Sequence, residues 1–596
     1  MSRRWIVVIP ILGGVLAITC LLSQAGAIPE RSLKPSPDWS RGLRVSKGEG
    51  KRADIAMAAD GGDLCLVWRL LRGEEVLLRF ARLDGGGHLV TDRELSSGLS
   101  LPRQNRILVG PDSSLHLFTL ARREADAHRG LFHLTLGPEG DPLSEPELLS
   151  LPGWEVKSYD LVSDLDDTFH IFWSGEDEDG PHLFYLRLEE GIASGSEPLV
   201  PGGMEPAARI DGDGHLHLIW IEEGERQEEP IYVATFPGAM VTPTRGVKLF
   251  DIGKAIGEIR TGPVLGLDSR YGYLLWTVEH RTGLTEGTAE GWYAVFSLEK
   301  PQPTTPLSFA LPAVEKPIYA EYESPYGYHH LMPLSARLSS ASNLIDMPAT
   351  IGTQGEELPV AFRLNVNYGY DRKFQIAMAV FKEGRLVGYQ LAGKSGYHSS
   401  RPTLFADDEG NLHLAWIDST AGGSTHLYYA STSPLVKAHL DRLTGEDLLS
   451  GAAKMTLGFI LGLLLVPLIP LWLAPTLIWS FFCTVVVRFD DLGTGRGKIG
   501  LALALLIYLV TKLVMLPSFF SYVPFSAWIP LLPSGLSPLL MVGTPLFVSG
   551  AAAAIAVWFL RRVESKELFV ALPAFALPDA FLTLMIYSPS ILGMAW

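Results

Sequence analysis

The sequence predicts an all-β propeller followed by an α-helical transmembrane domain, and three observations carry that prediction. A short phrase recurs through the first three quarters of the chain: an acidic turn, usually with Gly, runs into an alternating strand that ends on Trp. It is clearest as Asp211-Gly-Asp-Gly-His-Leu-His-Leu-Ile-Trp220 and Asp407-Asp-Glu-Gly-Asn-Leu-His-Leu-Ala-Trp416. A further strand follows most copies after a polar loop, and the unit then repeats. Beyond Pro434 the composition changes to long apolar runs. At 596 residues the chain exceeds one compact domain.

The N-terminus carries Arg3 and Arg4, an apolar run from Trp5 to about Leu22, and then Ala25-Gly-Ala27. A positive end, an apolar core and a small-residue cleavage site make residues 1–27 a signal peptide or signal anchor, with cleavage favoured. Thr19 before Cys20 argues against lipid attachment. Residues 28–41, with Pro29, Pro35 and Pro37, read as an extended lead-in. Cys20 and Cys483 lie in apolar stretches and Cys65 stands alone in a strand, so no disulfide framework is expected.

With the Trp of the phrase as marker, copies fall at Trp68, Thr119, Trp173, Trp220, Trp276, Phe362 and Trp416, at intervals of 51, 54, 47, 56, 86 and 54 residues. Each marker ends an alternating stretch, as in Leu64-Cys-Leu-Val-Trp68 and Phe169-His-Ile-Phe-Trp173, and period-two alternation is a strand signal. Turns such as Asp60-Gly-Gly-Asp63 suit tight hairpins. Third strands follow at Val76–Ala81, His182–Leu186, Ile231–Ala234, Trp292–Phe296 and Leu427–Ala430. Four strands in about 50 residues, in tandem, make a propeller blade. Seven blades are favoured over six or eight, because the interval before Phe362 is irregular. The last copy stops after its third strand, and Leu43-Arg-Val45 is the candidate fourth strand that closes the ring.

The phrase resembles the repeats of sialidase-like propellers and the related neuraminidase repeats over about residues 45–433. That resemblance implies the propeller fold and an activity on, or affinity for, sugars. No copy has the Ser-x-Asp-x-Gly-x-x-Trp form of that family. Its arginine cluster, its Tyr–Glu nucleophile and its acid/base Asp find no matching positions, so no catalytic residue is assigned.

His116, His170, His217 and His413 occupy one repeat position, three residues before the marker. Blades splay equivalent positions around a ring, so these cannot share a metal; each is expected to bond a turn carboxylate of its own blade. The Trp markers read as packing between blades. The turns holding Asp177 and Asp179 and holding Asp211 and Asp213 cluster carboxylates that suit calcium, although neither has a distant bidentate Glu. Plain solvated turns are the favoured reading, and no other cofactor is expected. The long interval carries Tyr319, Tyr322, Tyr326, Tyr328, His329 and His330. Such an insertion is either a ligand-binding loop, suited to a sugar, peptide or protein partner, or a cover for an irregular blade.

After a linker helix over 436–454, four apolar segments are long enough to span a bilayer: about 455–487, 499–517, 539–560 and 568–588. Pro467, Pro470 and Pro475 are expected to bend the first. Residues 455–596 hold seven Lys/Arg and five Asp/Glu, so of the chain's net −16 the preceding residues hold −18. That acidic part repels polyphosphate and excludes nucleic acid as partner. Arg488, Arg496 and Lys498 lie between the first two segments, and Arg561, Arg562 and Lys566 between the last two, while 518–538 is uncharged. Basic loops stay in the cytoplasm. The expected topology is therefore a multi-pass cell-membrane protein with the propeller (residues 28–435) and the C-terminus outside. Lys512 and Asp579 are the ionisable groups well inside the segments and form a candidate intramembrane pair.

Two functions follow as expectations, with a transport or sensing component that uses Lys512 and Asp579 as an outside third. One is a membrane-integrated extracytoplasmic propeller that binds or scaffolds a protein partner, without enzymatic activity. The alternative is a sialidase-like cell-surface glycosidase or carbohydrate-binding protein.

Overall fold

The computed structural model describes residues 29–591, apart from 47–49, 111, 124–127, 165, 178–179, 190, 225–227, 254–256, 283–285, 287, 313–318, 335–340, 343–344, 352–354, 369–370, 421–422, 489–490, 516–521 and 526–535. The N-terminal segment 1–27 thus lies outside the described residues. The chain divides into two compact units, one of Glu30–Asn367 with Arg372–Arg442 and one that takes in Leu443–Trp596.

The first unit is a seven-bladed β-propeller. Its innermost strands are Lys51–Asp60, Ser100–Val109, Glu155–Ser163, Gly203–Ile210, Glu258–Leu267, Ile345–Thr350 and His398–Ala406. Each pairs antiparallel with the strand that carries the marker, as Ile210↔Leu216 and Ala406↔Leu412 show. Alternation sends one set of side chains toward each neighbouring blade. Trp68, Trp173, Trp220 and Trp416 are fully buried, and the markers pack on the preceding blade: Trp173 against Phe118 and Leu120, Trp220 against Phe172 and Leu183. Each such large side chain contributes about 2–3 kcal/mol by burial, so the ring is held by its blade-to-blade faces.

Leu43–Arg44 pairs with Thr425–Ser431 in the register Leu43↔Tyr429 and closes the ring as the fourth strand of blade 7. Blade 6 departs from the pattern. Its four strands, from Ile345–Thr350 to Arg385–Gly393, are followed outward by two more from the long insertion, His330–Pro333 on Arg385–Gly393 and Ala320–Glu321 on His330–Pro333. The 86-residue interval therefore adds outer strands to a blade that already has four.

The second unit is helical. After α1 (Pro434–Leu440), which belongs to the propeller unit, come α2 (Gly445–Leu464), α3 (Ile469–Phe482), α4 (Gly495–Met515), α5 (Ser537–Val563) and α6 (Leu568–Ile591). Five stretches are long and apolar enough to cross a membrane: Gly445–Leu464, Val466–Val487, Gly495–Val514, Ser537–Val563 and Leu568–Ser588. The segment expected at 455–487 is thus two helices, divided at the 3₁₀ turn Val466–Leu468 that contains Pro467. They nevertheless follow one line. Ser588 Oγ donates to the Gly458 carbonyl, Gly462 abuts Leu584 and Met585, and Ile469, Trp472 and Leu473 pack with Ala576, Ala580 and Leu584. As numbers rise along α2 and α3 they fall along α6, so the two helices lie end to end, antiparallel to α6. At one end of this unit the connections after α3 and after α5 meet, Leu492 N–H donating to the Lys566 carbonyl at 2.9 Å.

Candidate functional site

All seven innermost strands are interrupted near their start. The ladder slips between Ala53 and Ala56, Arg103 and Arg106, Val156 and Ser158, Met204 and Ala207, Thr261 and Val264, Asp346 and Ala349, and Ser400 and Thr403. The bulged residues are Asp54, Gln104, Lys157, Glu205, Gly262, Met347 and Arg401. Six of them have positive φ: Asp54 at 52°, Gln104 at 52°, Glu205 at 49°, Gly262 at 95°, Met347 at 55° and Arg401 at 51°. A side chain held there costs about 1–2 kcal/mol. The bulge recurs in every blade, and those of blades 2 to 5 bring Gln104, Lys157, Glu205 and Gly262 to one opening, as bulges beside binding sites do.

The mouth opens into a cavity of about 510 Å³ over blades 2 to 5, lined by Gln104, Lys157, Glu205 and Gly262 of the ring and by Ser158, Ser174, Glu176, Glu223 and Arg260. A second cavity of about 260 Å³ shares Glu205 and Arg260 and adds Glu229 and Glu258. The basic groups here are largely neutralised within the protein. Lys157 pairs with Glu176 at 3.1 Å, and Arg260 with Glu205 at 2.9 Å and Glu229 at 3.1 Å. Below the mouth the channel is crossed by a polar knot: buried Asp160 accepts from the Ala208 N–H at 3.0 Å and Arg209 at 3.1 Å, Arg106 lies 3.5 Å away, and Arg209 reaches Thr350 at 3.4 Å. The bulge carbonyls are capped by neighbouring blades, Asp54 by Asn105 and Gln104 by Tyr159.

The repeated histidines sit at the opposite end of the blades. Nε2 of His170, His217 and His413 lies 2.9 Å from Asp164, Asp211 and Asp407 of the preceding turns, while Nδ1 meets the hydroxyl of Tyr185, Thr235 or Tyr429. Burial holds the His170 and His217 rings below the ordinary range despite their carboxylates. Burial raises the Asp211 carboxyl, but its bonds to His217 and the His215 amide outweigh this and leave it below the usual value. His116 instead bonds Ser114 and His133. Asp211, Asp213 and His215 lie close together, yet Asp211 already accepts from the Asp213 and His215 amides and from His217. Asp177 ends a strand, and its side chain and Asp179 fall outside the described residues.

The insertion's tyrosines turn inward on one carboxylate. Glu357, fully buried, accepts from Tyr322 at 2.7 Å, Tyr328 at 2.8 Å and Ser324 at 2.9 Å, and Lys382 is 3.3 Å away. Tyr326 is buried beside them, Tyr319 bonds the Pro35 carbonyl at 3.4 Å, His330 binds Asp38 at 2.9 Å, and His329 is exposed. Tyr322, Ser324, Tyr326 and Tyr328 gather at Glu357, at the hairpin-turn end of blade 6, whereas Tyr319 and His330 hold the lead-in at Pro35 and Asp38.

In the helical unit Lys512 Nζ lies 2.6 Å from Asp579 Oδ2, both buried. Tyr508 donates to the same oxygen at 2.7 Å and Ser549 to the other at 2.8 Å. One carboxylate thus gathers α4, α5 and α6.

Sequence reading missed the bulge ring. Its signal is a constant offset: the seven positions stand 14 to 16 residues before the markers, and four precede Pro (Pro206, Pro263, Pro348, Pro402).

No protein-family model and no curated protein matches the chain. Among solved structures, it is similar to a PL25 polysaccharide lyase, an ulvan lyase, with 9% identity and TM-score 0.41 over 67% of this chain and 99% of that one. It is also similar to an exo-β-1,3-galactanase from Clostridium thermocellum, with 10% identity and TM-score 0.29 over 64% and 95%. A subtype N10 neuraminidase-like protein of A/little yellow-shouldered bat/Guatemala/060/2010 gives 12% and 0.31 over 56% and 94%. These likenesses are of fold alone.

Proposed function

We propose that the chain is a membrane-integrated propeller that binds a polar partner at its channel mouth and acts as a binding or scaffolding subunit. The observation that carries this reading is the ring of bulges, which directs Gln104, Lys157 and Glu205 into one cavity. Strain kept at equivalent positions in five blades, with Gly262 taking the same backbone form in a sixth, calls for a use at the mouth. At this cavity Arg260 is paired with Glu205 and Glu229, and the Tyr–Glu cluster around Glu357 lies at the far end. Reading α2 and α3, which lie end to end, as one pass makes four passes of the five helices, with the two basic connections on one side. Positive-inside sorting then assigns that side to the cytoplasm and the start of α2, with the propeller before it, to the outside.

The mouth's mixture of hydroxyl, amide and paired acid and base also suits sugar hydroxyls, so an exposed glycan is the second reading. The two separate experimentally. A partner protein that leaves with Lys157→Trp favours the first, and retention on a glycan array that the same variant abolishes favours the second.

A further inference from the structure

Several threonine hydroxyls of the helical unit are satisfied on their own helix. Thr456, Thr484, Thr511 and Thr583 each donate to the carbonyl four residues back, at 2.6–2.9 Å. Thr476 and Ser480 on α3 do not. Both are fully buried, and neither Oγ has a hydrogen-bond partner among the described residues. An orphan hydroxyl inside an apolar bundle is costly, and two stacked on one face, four residues apart, demand an explanation.

Their position supplies one. Trp472, Thr476 and Ser480 share the buried face of α3, which packs on α4 and α6. Trp472 clusters with Tyr508 and Ala576, and Tyr508 bonds Asp579. Each step of four residues is about 6 Å along the helix, so the hydroxyls continue, one and two turns on, from Trp472, which packs with the Tyr508 that bonds Asp579. The line runs toward the end where Leu492 meets Lys566, about 10 Å beyond Ser480.

We propose that this face of α3 holds a file of water molecules joining the Lys512–Asp579 cluster to the basic-loop side, so that the buried pair exchanges protons with that side. Waters complete the hydrogen bonds of Thr476 and Ser480, as buried waters do for polar groups without protein partners. A proton leaving the cluster passes along the file to solvent, and one entering takes the reverse path. The inference rests on the membrane reading of the second unit.

The test uses the full chain in lipid vesicles, with native cysteines replaced by Ser. Thr476→Cys and Ser480→Cys are compared with Leu473→Cys, a buried apolar neighbour, using a small charged thiosulfonate. A hydrated thiol keeps a lower pKa than one buried in apolar surroundings, so Thr476→Cys and Ser480→Cys should react about tenfold faster or more, and only with reagent on the basic-loop side. Rates no faster than Leu473→Cys, or equal from both sides, overturn the inference. A second reading uses Thr476→Val in the native chain. A raised melting temperature means a dry orphan hydroxyl and also overturns it; an unchanged or lowered one agrees with a bound water. Chain released by carbonate overturns the membrane reading and this inference together, whereas retained chain with silent cysteines overturns this inference alone.

Discussion

Glu205, held at φ 49°, gives its carboxylate to Arg260 of the next blade at 2.9 Å, and the two side chains line both cavities of the mouth. Strain and ion pair can be separated there. Glu205→Gly and Glu205→Ala both lose the pair, but only Gly accepts the left-handed backbone without cost. The Gly variant should be more stable than the Ala variant by about 1 kcal/mol, which thermal unfolding of the full chain would show. The reverse order, normal for a strand, would remove the strain.

The Lys512–Asp579 pair predicts a non-additive cycle. Lys512→Met leaves a buried carboxylate and Asp579→Asn a buried ammonium, each costing about 3–5 kcal/mol. The double variant should be no less stable than either single one. Additive losses in detergent melting curves would mean that the two groups act independently.

Two buried groups predict opposite pH slopes. Burial pushes the Asp418 carboxyl up to about 6, against hydrogen bonds from Ser399, Ser395 and Trp416. A raised carboxyl stabilises the fold while protonated, so this contribution is lost as pH rises from about 4 to 6, by about 3 kcal/mol. Asp418→Asn should abolish that slope and be more stable than wild type at pH 7.5. Burial, with the nearby His116, lowers His133 to about 4. A depressed histidine stabilises above its unfolded value, and that stability is lost as pH falls from about 6.5 to 4. His133→Phe should flatten this second limb. Unfolding midpoints from pH 4 to 8 check both.

The His217–Asp211 bond is a blade fastener. His217→Ala should cost about 1–3 kcal/mol, and Asp211→Ala should cost about the same because either change leaves the partner unpaired. Chelators should leave the melting temperature unmoved, since Asp211 is occupied by amides and His217. A calcium-dependent rise would reverse that assignment.

The blades were legible because turn, alternating strand and marker recur together, and blade closure by Leu43–Arg44 follows from a last copy that lacks its fourth strand. Blade 6 was harder, since the insertion adds two outer strands, Ala320–Glu321 and His330–Pro333, that precede the four strands of the blade. The mouth was not legible. Positive φ at Glu205, Met347 or Arg401 leaves no mark on residue type, and only the offset to the marker and the following Pro betray it. The tyrosines of the insertion stand out by composition, but nothing local tells that their hydroxyls converge on Glu357. Lys512 and Asp579 are conspicuous as charges in apolar helices, whereas Tyr508 and Ser549 look like ordinary helix residues until the helices are packed.

The most direct test of the binding role is stoichiometric. The full chain is extracted gently from its own membranes as wild type, as Lys157→Trp, which fills the mouth, and as Ile192→Arg, an exposed change at the far end of blade 3. A partner that accompanies wild type and Ile192→Arg in fixed ratio and is lost from Lys157→Trp is the predicted result. A partner that stays with Lys157→Trp, or a wild-type chain that emerges alone and binds nothing at the mouth, would contradict it.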